Sequence, residues 1–253
     1  MKIGTQPDIK QKPKEAFEFA ANNGFDHLEI LMDHPYYSIE SLSYAELIEL
    51  KWSYDVDLLI HAPANSTNFI STSKNMRNAS YKELAEVCSL AEKSGAELVT
   101  FHIGWNPGFI TNGRFVFDKE LFEQHNEKVL LEELYNFVKN SNVPLALENT
   151  ILVDGGLRRA LQKIISETEL KLTLDIGHYN VQENPFFIEN FERVVNMHIH
   201  DNNGEKDEHL ALGKGKVDIK KFLNDYDGYL TIETREEKAI LESLNYLKKI
   251  GVI

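Results

Sequence analysis

An α/β fold, a closed (β/α)8 barrel of the TIM type, is predicted by three features of the 253-residue sequence. Short apolar runs of strand character recur along it, helix-length segments with apolar residues three and four apart separate most of them, and no linker, low-complexity tract or charge block divides the chain. Repeated βα units build a parallel sheet through right-handed crossovers. Eight of them within about 250 residues match a closed barrel better than an open sheet with a second domain. The expected organisation is one domain over residues 1–253.

The eight runs, in order, are "KIGTQ" (2–6), "HLEIL" (27–31), "DLLIHA" (57–62), "ELVTFHI" (97–103), "PLALEN" (144–149), "LKLTLDI" (170–176), "VVNMHIHD" (194–201) and "YLTIET" (229–234), each bounded by polar or turn residues. Helical spacing follows the first in "PKEAFEFAANNG", the third in "YKELAEVCSLAEKSG", the fourth in "HNEKVLLEELYNFVKN" and the eighth in "EEKAILESLNYLKKIG". Several of these close on a Gly or Asn suited to a helix C-terminus. The sixth helix is compressed into "NPFFIENFER", and the polar stretch from Pro63 to Asn78 is expected to be a long loop over the barrel mouth.

With 42% hydrophobic residues the chain can bury a full-sized core. No apolar stretch approaches the roughly 20 residues that cross a bilayer, and "MKIGTQPDIKQKPKEA" lacks the apolar segment of a signal peptide, so no membrane partner and a cytoplasmic location are expected. The net charge of −13 disfavours nucleic acid, whose nonspecific binding depends on Lys and Arg neutralising phosphates. The single cysteine, Cys88, sits in a helical pattern and is assigned no chemistry.

In a barrel of this type the C-terminal strand ends carry the active site. Glu29 lies near the end of the second strand, His61 the third, His102 the fourth, Glu148 the fifth, Asp175 the sixth, His198 and His200 the seventh, and Glu233 the eighth. His178 follows the sixth strand, and Asp207 and His209 the seventh. A lone His or Glu at such a place is ordinarily a hydrogen-bonded structural group. The joint pattern argues otherwise, because carboxylates pointing inward from otherwise apolar strands carry a large desolvation cost unless they share a cation. "DIGH" spaces Asp175 and His178 three apart, "HIH" puts His198 and His200 on one strand face, and "DEH" lets Asp207 and His209 turn together. Carboxylate and imidazole donors without thiolate suit zinc, manganese, cobalt or iron and do not choose among them.

The series "IHAP", "FHIG", "LENT", "LDIGH", "HIHD", "DEHLALGKG" and "IET" resembles, over nearly the whole chain, the xylose isomerase-like barrel superfamily. That group joins sugar and sugar-phosphate isomerases and epimerases with endonuclease IV-type AP endonucleases. From the isomerase branch the resemblance implies a divalent ion held by Glu148, Asp175, His198 and Glu233, with Glu148 and Glu233 also catalytic. His198 is chosen because "HIHD" fits the family's His-x-x-Asp pattern, and His200 on the same face stands as its rival. From the endonuclease branch, with its trinuclear zinc site, it implies His61 and His102 sharing Glu148, and a further set of His178, Asp207 and His209. The cofactor is thus a divalent metal, one to three ions.

The early chain separates the branches. Endonuclease IV-type proteins have a "GAHVS"-like first strand and a basic, aromatic DNA-facing loop after the second. This chain reads "IGTQPDIKQ" and "GFDHLEILMDHPYY", similar to the "GFDGVEL" style of the isomerases. The leading expectation is a metal-dependent sugar or sugar-phosphate isomerase or epimerase. Its two glutamates would remove and return a proton on opposite faces while the metal stabilises an enediolate. The alternatives are phosphodiester cleavage at abasic DNA and a non-catalytic barrel that binds a small ligand or metal. Two weaker features stay open. "GKGKVD" (213–218) could cradle a phosphate or serve turn geometry, and Trp105 could cover a sugar face or simply pack. Arg114, Arg158 and Arg159 have no motif behind them.

Overall fold

A computed structural model describes residues 1–116, 118–223 and 226–253. The strands are β1 (Lys2–Thr5), β2 (His27–Leu31), β3 (Asp57–His61), β4 (Leu98–Phe101), β5 (Phe109–Thr111), β6 (Arg114–Val116), β7 (Leu145–Glu148), β8 (Lys171–Asp175), β9 (Val194–Ile199) and β10 (Tyr229–Ile232). Eight of them close a barrel in the order β1-β10-β9-β8-β7-β4-β3-β2, and β5 and β6 form a separate antiparallel hairpin. Every barrel pairing is parallel, including β1 with β10, which closes the ring. All eight predicted barrel strands are present within one or two residues of their predicted ends. The hairpin was not anticipated, although "TNGR" at its turn is the Asn-Gly signal that favours one.

The helices are α1 (Pro13–Asn22), α2 (Tyr44–Tyr54), α3 (Lys74–Ser94), α4 (Glu123–Val129), α5 (Tyr135–Lys139), α6 (Gly155–Glu167), α7 (Ile176–Val181), α8 (Pro185–Glu189) and α9 (Glu237–Lys249). A π-helical turn, Leu130–Leu134, joins α4 to α5. The predicted loop of 63–78 ends at Ser73, whose hydroxyl accepts the Met76 amide and starts α3 seven residues before the predicted "YKEL". The sixth crossover is short as expected, with α8 followed by a 3-10 turn at Phe191–Arg193. Among its described residues the seventh has only a 3-10 turn, Ile219–Phe222, which leaves 200–218 free to fold over the mouth.

Alternation along the strands divides the interior in two. Outward residues such as Leu28, Ile30, Leu58, Ile60, Leu172, Leu174, Leu230 and Ile232 join Phe17, Leu47, Leu84, Leu134, Leu161 and Leu244 in the layer between barrel and helices. This layer is the hydrophobic core. Inside the barrel, Leu59, Leu98 and Ala146 make a small apolar base against Val195 and Tyr229. Above it the interior becomes polar, and a chain of hydrogen bonds links its side chains. Thr100 and Thr173 share a 2.9 Å hydrogen bond, Thr231 donates to Asn196 Oδ1 at 2.9 Å, and Asn196 donates to Glu29 Oε2 at 2.9 Å. Between β8 and β9 the register shifts at Leu172/Thr173, skipping Val195, so that Thr173 faces Asn196 and Asp175 faces His198.

Candidate metal centre

The polar interior ends in a cluster of carboxylates and imidazoles at the C-terminal strand ends. Glu148, at the end of β7, sits centrally, with Oε2 3.0 Å from His61 Nε2, 3.1 Å from His102 Nε2 and 3.4 Å from His198 Nδ1. Its other oxygen is 3.3 Å from His178 Nδ1. Glu233, just past β10, brings Oε2 within 3.0 Å of His198 Nδ1. Asp175 closes β8, and its Oδ1 accepts the His178 amide at 2.7 Å, capping α7. His200 Nε2 lies 3.1 Å from the same oxygen. Gly177 makes that approach possible, since a methyl there would run into the His200 ring.

Asp207 bridges the outer histidines. Its Oδ2 is 3.2 Å from His178 Nε2 and 2.9 Å from His209 Nε2, and its Oδ1 is 3.4 Å from His200 Nε2. His209 takes a left-handed backbone (φ 47°), and its Nδ1 donates to the Glu233 carbonyl at 2.9 Å, leaving Nε2 to face the cluster. His61 does likewise through the Ala62 carbonyl at 2.9 Å. In both rings the backbone fixes which nitrogen can ligate.

All ten residues proposed from the sequence therefore converge. Their donor atoms fall into three groups, each within 4.8 Å, of which the first two share Glu148: Glu148, Asp175, His198 and Glu233; His61, His102 and Glu148; and His178, His200, Asp207 and His209. His198 and His200, the two rivals for one position, lie in different groups, His198 in the first and His200 in the third. Glu29 forms a further group with His61 and His198.

The donors fit a bound divalent ion. Asp175 Oδ2, His178 Nδ1, His198 Nδ1 and Glu233 Oε2 are buried and have no hydrogen-bond partner, though each lies close to another member of the cluster. Buried polar atoms are otherwise nearly always bonded. Atoms that crowd together without hydrogen-bond alignment are arranged as donors around a point, and zinc-type ions take such N and O ligands at about 2.0–2.2 Å. The charges agree. Burial alone would raise Glu148 and Glu233, but the neighbouring histidines outweigh it and hold both well below the usual carboxylate range. Burial opposes charge on His178 and His200, yet the carboxylates around them raise the first to about 12 and the second to about 9. Without an ion, imidazolium protons supply the positive charge that the carboxylates require.

Several supporting residues had no place in the sequence reading. Arg235, two positions after Glu233, donates to Glu233 Oε1 at 2.6 Å and leaves Oε2 for the cluster. Asn149 in "LENT" clamps β8, with its Nδ2 donating to the Asp175 carbonyl at 2.8 Å and its Oδ1 accepting the Asp175 amide at 2.6 Å. Each lies one or two positions after a strand-end carboxylate in sequence, which was the available signal. The glycine-rich turn serves geometry. The Gly213 and Val217 amides donate inward to the buried Asp201 carboxylate at 2.9 and 3.0 Å, a side chain at Gly215 would strike the same loop, and Lys214 pairs with Glu242. Those amides are already used and do not face a phosphate.

Comparison with known proteins follows the geometry. A family described as xylose isomerase-like TIM barrel matches residues 17–250. The uncharacterized protein MJ1614 of Methanocaldococcus jannaschii is 35% identical over 190 residues, 70% of this chain and 69% of that protein. Fructoselysine 3-epimerase of Escherichia coli O157:H7 is 22% identical over 241 residues, 87% of this chain and 84% of the relative. Among solved structures, a D-tagatose 3-epimerase-like protein superposes with a TM-score of 0.80 at 27% identity, covering 98% of this chain and 96% of that one. With the family match running through almost the whole barrel, this chain belongs to the xylose isomerase-like TIM barrel family.

Proposed function

We propose that the protein is a divalent-metal-dependent sugar epimerase or isomerase that moves a proton on the carbon beside a ketose carbonyl. The observation that carries this reading is the pair of buried, ionised glutamates. Glu148 and Glu233 enter one cluster from β7 and β10, which have β8 and β9 between them, and both approach His198 Nδ1. Inverting a carbon requires a base on one face and an acid on the other, and two carboxylates entering from separate strands supply both. The names of the similar epimerases support the same reaction class.

Glu148, Asp175, His198 and Glu233 would hold the principal ion. His61 and His102 with Glu148, and His178, His200, Asp207 and His209, would hold others. A bound divalent ion supplies Lewis acidity at the ketose carbonyl and adjacent hydroxyl oxygens. His198 does most to keep Glu233 ionised, and Arg235 adds to this while orienting the carboxylate through Oε1. Glu148, drawn toward three imidazoles by one oxygen, keeps the other directed at His178. One glutamate takes the proton and the opposite one returns it. The active unit spans residues 1–253, and its partner is a small sugar rather than nucleic acid or a membrane. Among the described residues no helix is long and apolar enough to cross a membrane.

The outer group of His178, Asp207 and His209 favours the rival reading, phosphodiester cleavage at abasic DNA, because multinuclear sites suit in-line displacement. One experiment separates the two. The metal-loaded protein is incubated in deuterated water with a panel of free ketoses, and in parallel with an abasic-site duplex at physiological salt. Deuterium entering the carbon next to the carbonyl, without strand nicking, is the expected result. Zinc-dependent nicking without exchange across the panel would make the endonuclease reading the correct one.

A further inference from the structure

Beside the cluster the barrel mouth opens into a second space. A cavity of about 510 Å³ lies between the connection from β4 to α4 and the connection from β7 to α6, with Trp105 and Asn126 on one side and Thr150, Ile151 and Leu152 on the other. It is not isolated from the metal centre. Thr150, Ile151 and Leu152 also line an adjoining cavity of about 290 Å³ whose walls include His178 and Asp207. A molecule held at the cluster can therefore continue past His178 into the larger space, whose volume falls in the range of small-molecule sites.

The walls state what they lack. Asn126 is 2% exposed, its Nδ2 donates to Asn106 Oδ1 at 3.0 Å, and its Oδ1 has no partner. Thr150 Oγ1, on the opposite wall, is also buried and unpaired. Leaving a buried acceptor unmet costs about 1–3 kcal/mol, so these atoms call for a hydroxyl or N–H donor. The charged groups are already matched. Lys119 pairs with Asp154, and Glu123 pairs with Arg159 at 3.4 Å. A phosphate would have to displace Asp154 from Lys119, and the glycine-rich turn offers no alternative anchor because its amides hold Asp201. Trp105 stays 46% exposed beside the apolar Ile151 and Leu152, held in place by Asn68, whose Nδ2 donates to the Trp105 carbonyl at 2.8 Å. A large aromatic surface next to unmet neutral hydrogen-bonding atoms suits a ring with an apolar face and hydroxyl edges.

We infer that this cavity is a subsite for an uncharged, hydroxyl-bearing ring, a glycosyl group, carried on the far end of the sugar whose carbonyl end lies at the metal cluster. The substrate is then a glycosylated ketose rather than a free ketose or a ketose phosphate. The inference rests on the epimerase reading for what happens at the cluster, and its test keeps the two apart by measuring binding as well as turnover.

The probes are fructose, fructose 6-phosphate and isomaltulose, a fructose with a glucosyl ring on its sixth oxygen. The chain has two tryptophans, and Trp52 is 80% exposed on α2, so a Trp52→Phe background leaves Trp105 as the sole reporter. In that background isomaltulose should change Trp105 emission with a half-saturation at least tenfold below that of either other probe. Deuterium exchange should show a kcat/KM at least tenfold higher for isomaltulose than for fructose, and Trp105→Ala or Asn126→Ala should each collapse that ratio at least fivefold. Equal half-saturation for the three probes, a preference for fructose 6-phosphate, or a ratio untouched by both substitutions would overturn the inference. If none of the probes exchanges deuterium, the epimerase reading fails, and the emission titration still decides the subsite.

Discussion

Both carboxylate oxygens of Glu29 lie 3.0 Å from His198 Nε2, a contact made entirely inside the barrel between two fully buried side chains. The carboxylate holds the ring with Nδ1 turned to Glu148 and Glu233, and Asn196 steadies Glu29 from below. Carboxylates behind a metal-binding imidazole raise its basicity and fix its orientation. Glu29→Gln should therefore weaken binding of the principal ion by about 10–100-fold. Competition for Zn²⁺ against a chromophoric chelator measures this, and an unchanged affinity would leave Glu29 with a purely structural role.

Glu148→Gln and Glu233→Gln should each slow deuterium exchange into a ketose by at least about 100-fold, the usual scale of a lost acid or base. Both residues are also proposed ligands, so ion content must be read by elemental analysis of the same samples. Exchange that survives either substitution in fully loaded protein would remove that residue from the proton path.

The outer group can be counted directly. His209→Asn keeps a residue tolerant of the left-handed backbone at φ 47° and removes the imidazole that faces Asp207. At saturating Zn²⁺ the metal-to-protein ratio should fall by one relative to the unsubstituted chain. Should the ratio stay the same, His178, Asp207 and His209 form a hydrogen-bond network and not an ion site.

His27 gives a pH dependence remote from the metal. It is fully buried, its Nε2 is 2.8 Å from Thr231 Oγ1, and burial pushes its pKa down to about 4. The unfolded chain, with histidine near 6.5, then binds the proton more readily than the folded one. Stability from this group is complete above pH 6.5 and is lost as pH falls toward 4. Between about pH 7.5 and 5 the loss amounts to about 2 kcal/mol. His27→Gln should flatten the pH dependence of the urea midpoint by roughly that amount, and parallel curves for the two proteins would contradict it.

The strands were legible because each outward face meets helices and each end meets solvent, which leaves a short apolar run with sharp polar edges. The donors at the strand ends were legible for the complementary reason, that an inward carboxylate in such a run has few ways to be stable. Local sequence could not reveal pairings between distant strands. Glu29 and His198 stand 169 residues apart, and in "HLEIL" the glutamate reads as a single polar interruption. Asn126 looked like any helical asparagine, and only the packing of α4 beside the mouth leaves its oxygen unmet. The glycines at 213 and 215 were visible, but whether their amides faced a ligand or Asp201 depended on a fold-back that spacing does not encode.

The skipped Val195 bears on how this chain can change length over generations. Losing Val195 itself would make the pairing continuous and leave Asp175 opposite His198, whereas losing a residue between Val195 and His198 with the skip retained would bring Asp175 opposite Ile199 and exchange inward and outward side chains along the top of that strand. Insertions and deletions between 182 and 193 fall instead in short helical turns and their joints, where slack can be absorbed. Descendants of this barrel should accordingly vary in length on the approach to β9, and can gain or lose the skipped residue, while keeping the interval from Asn196 to His198 fixed, because that interval sets the phase on which the shared cluster depends.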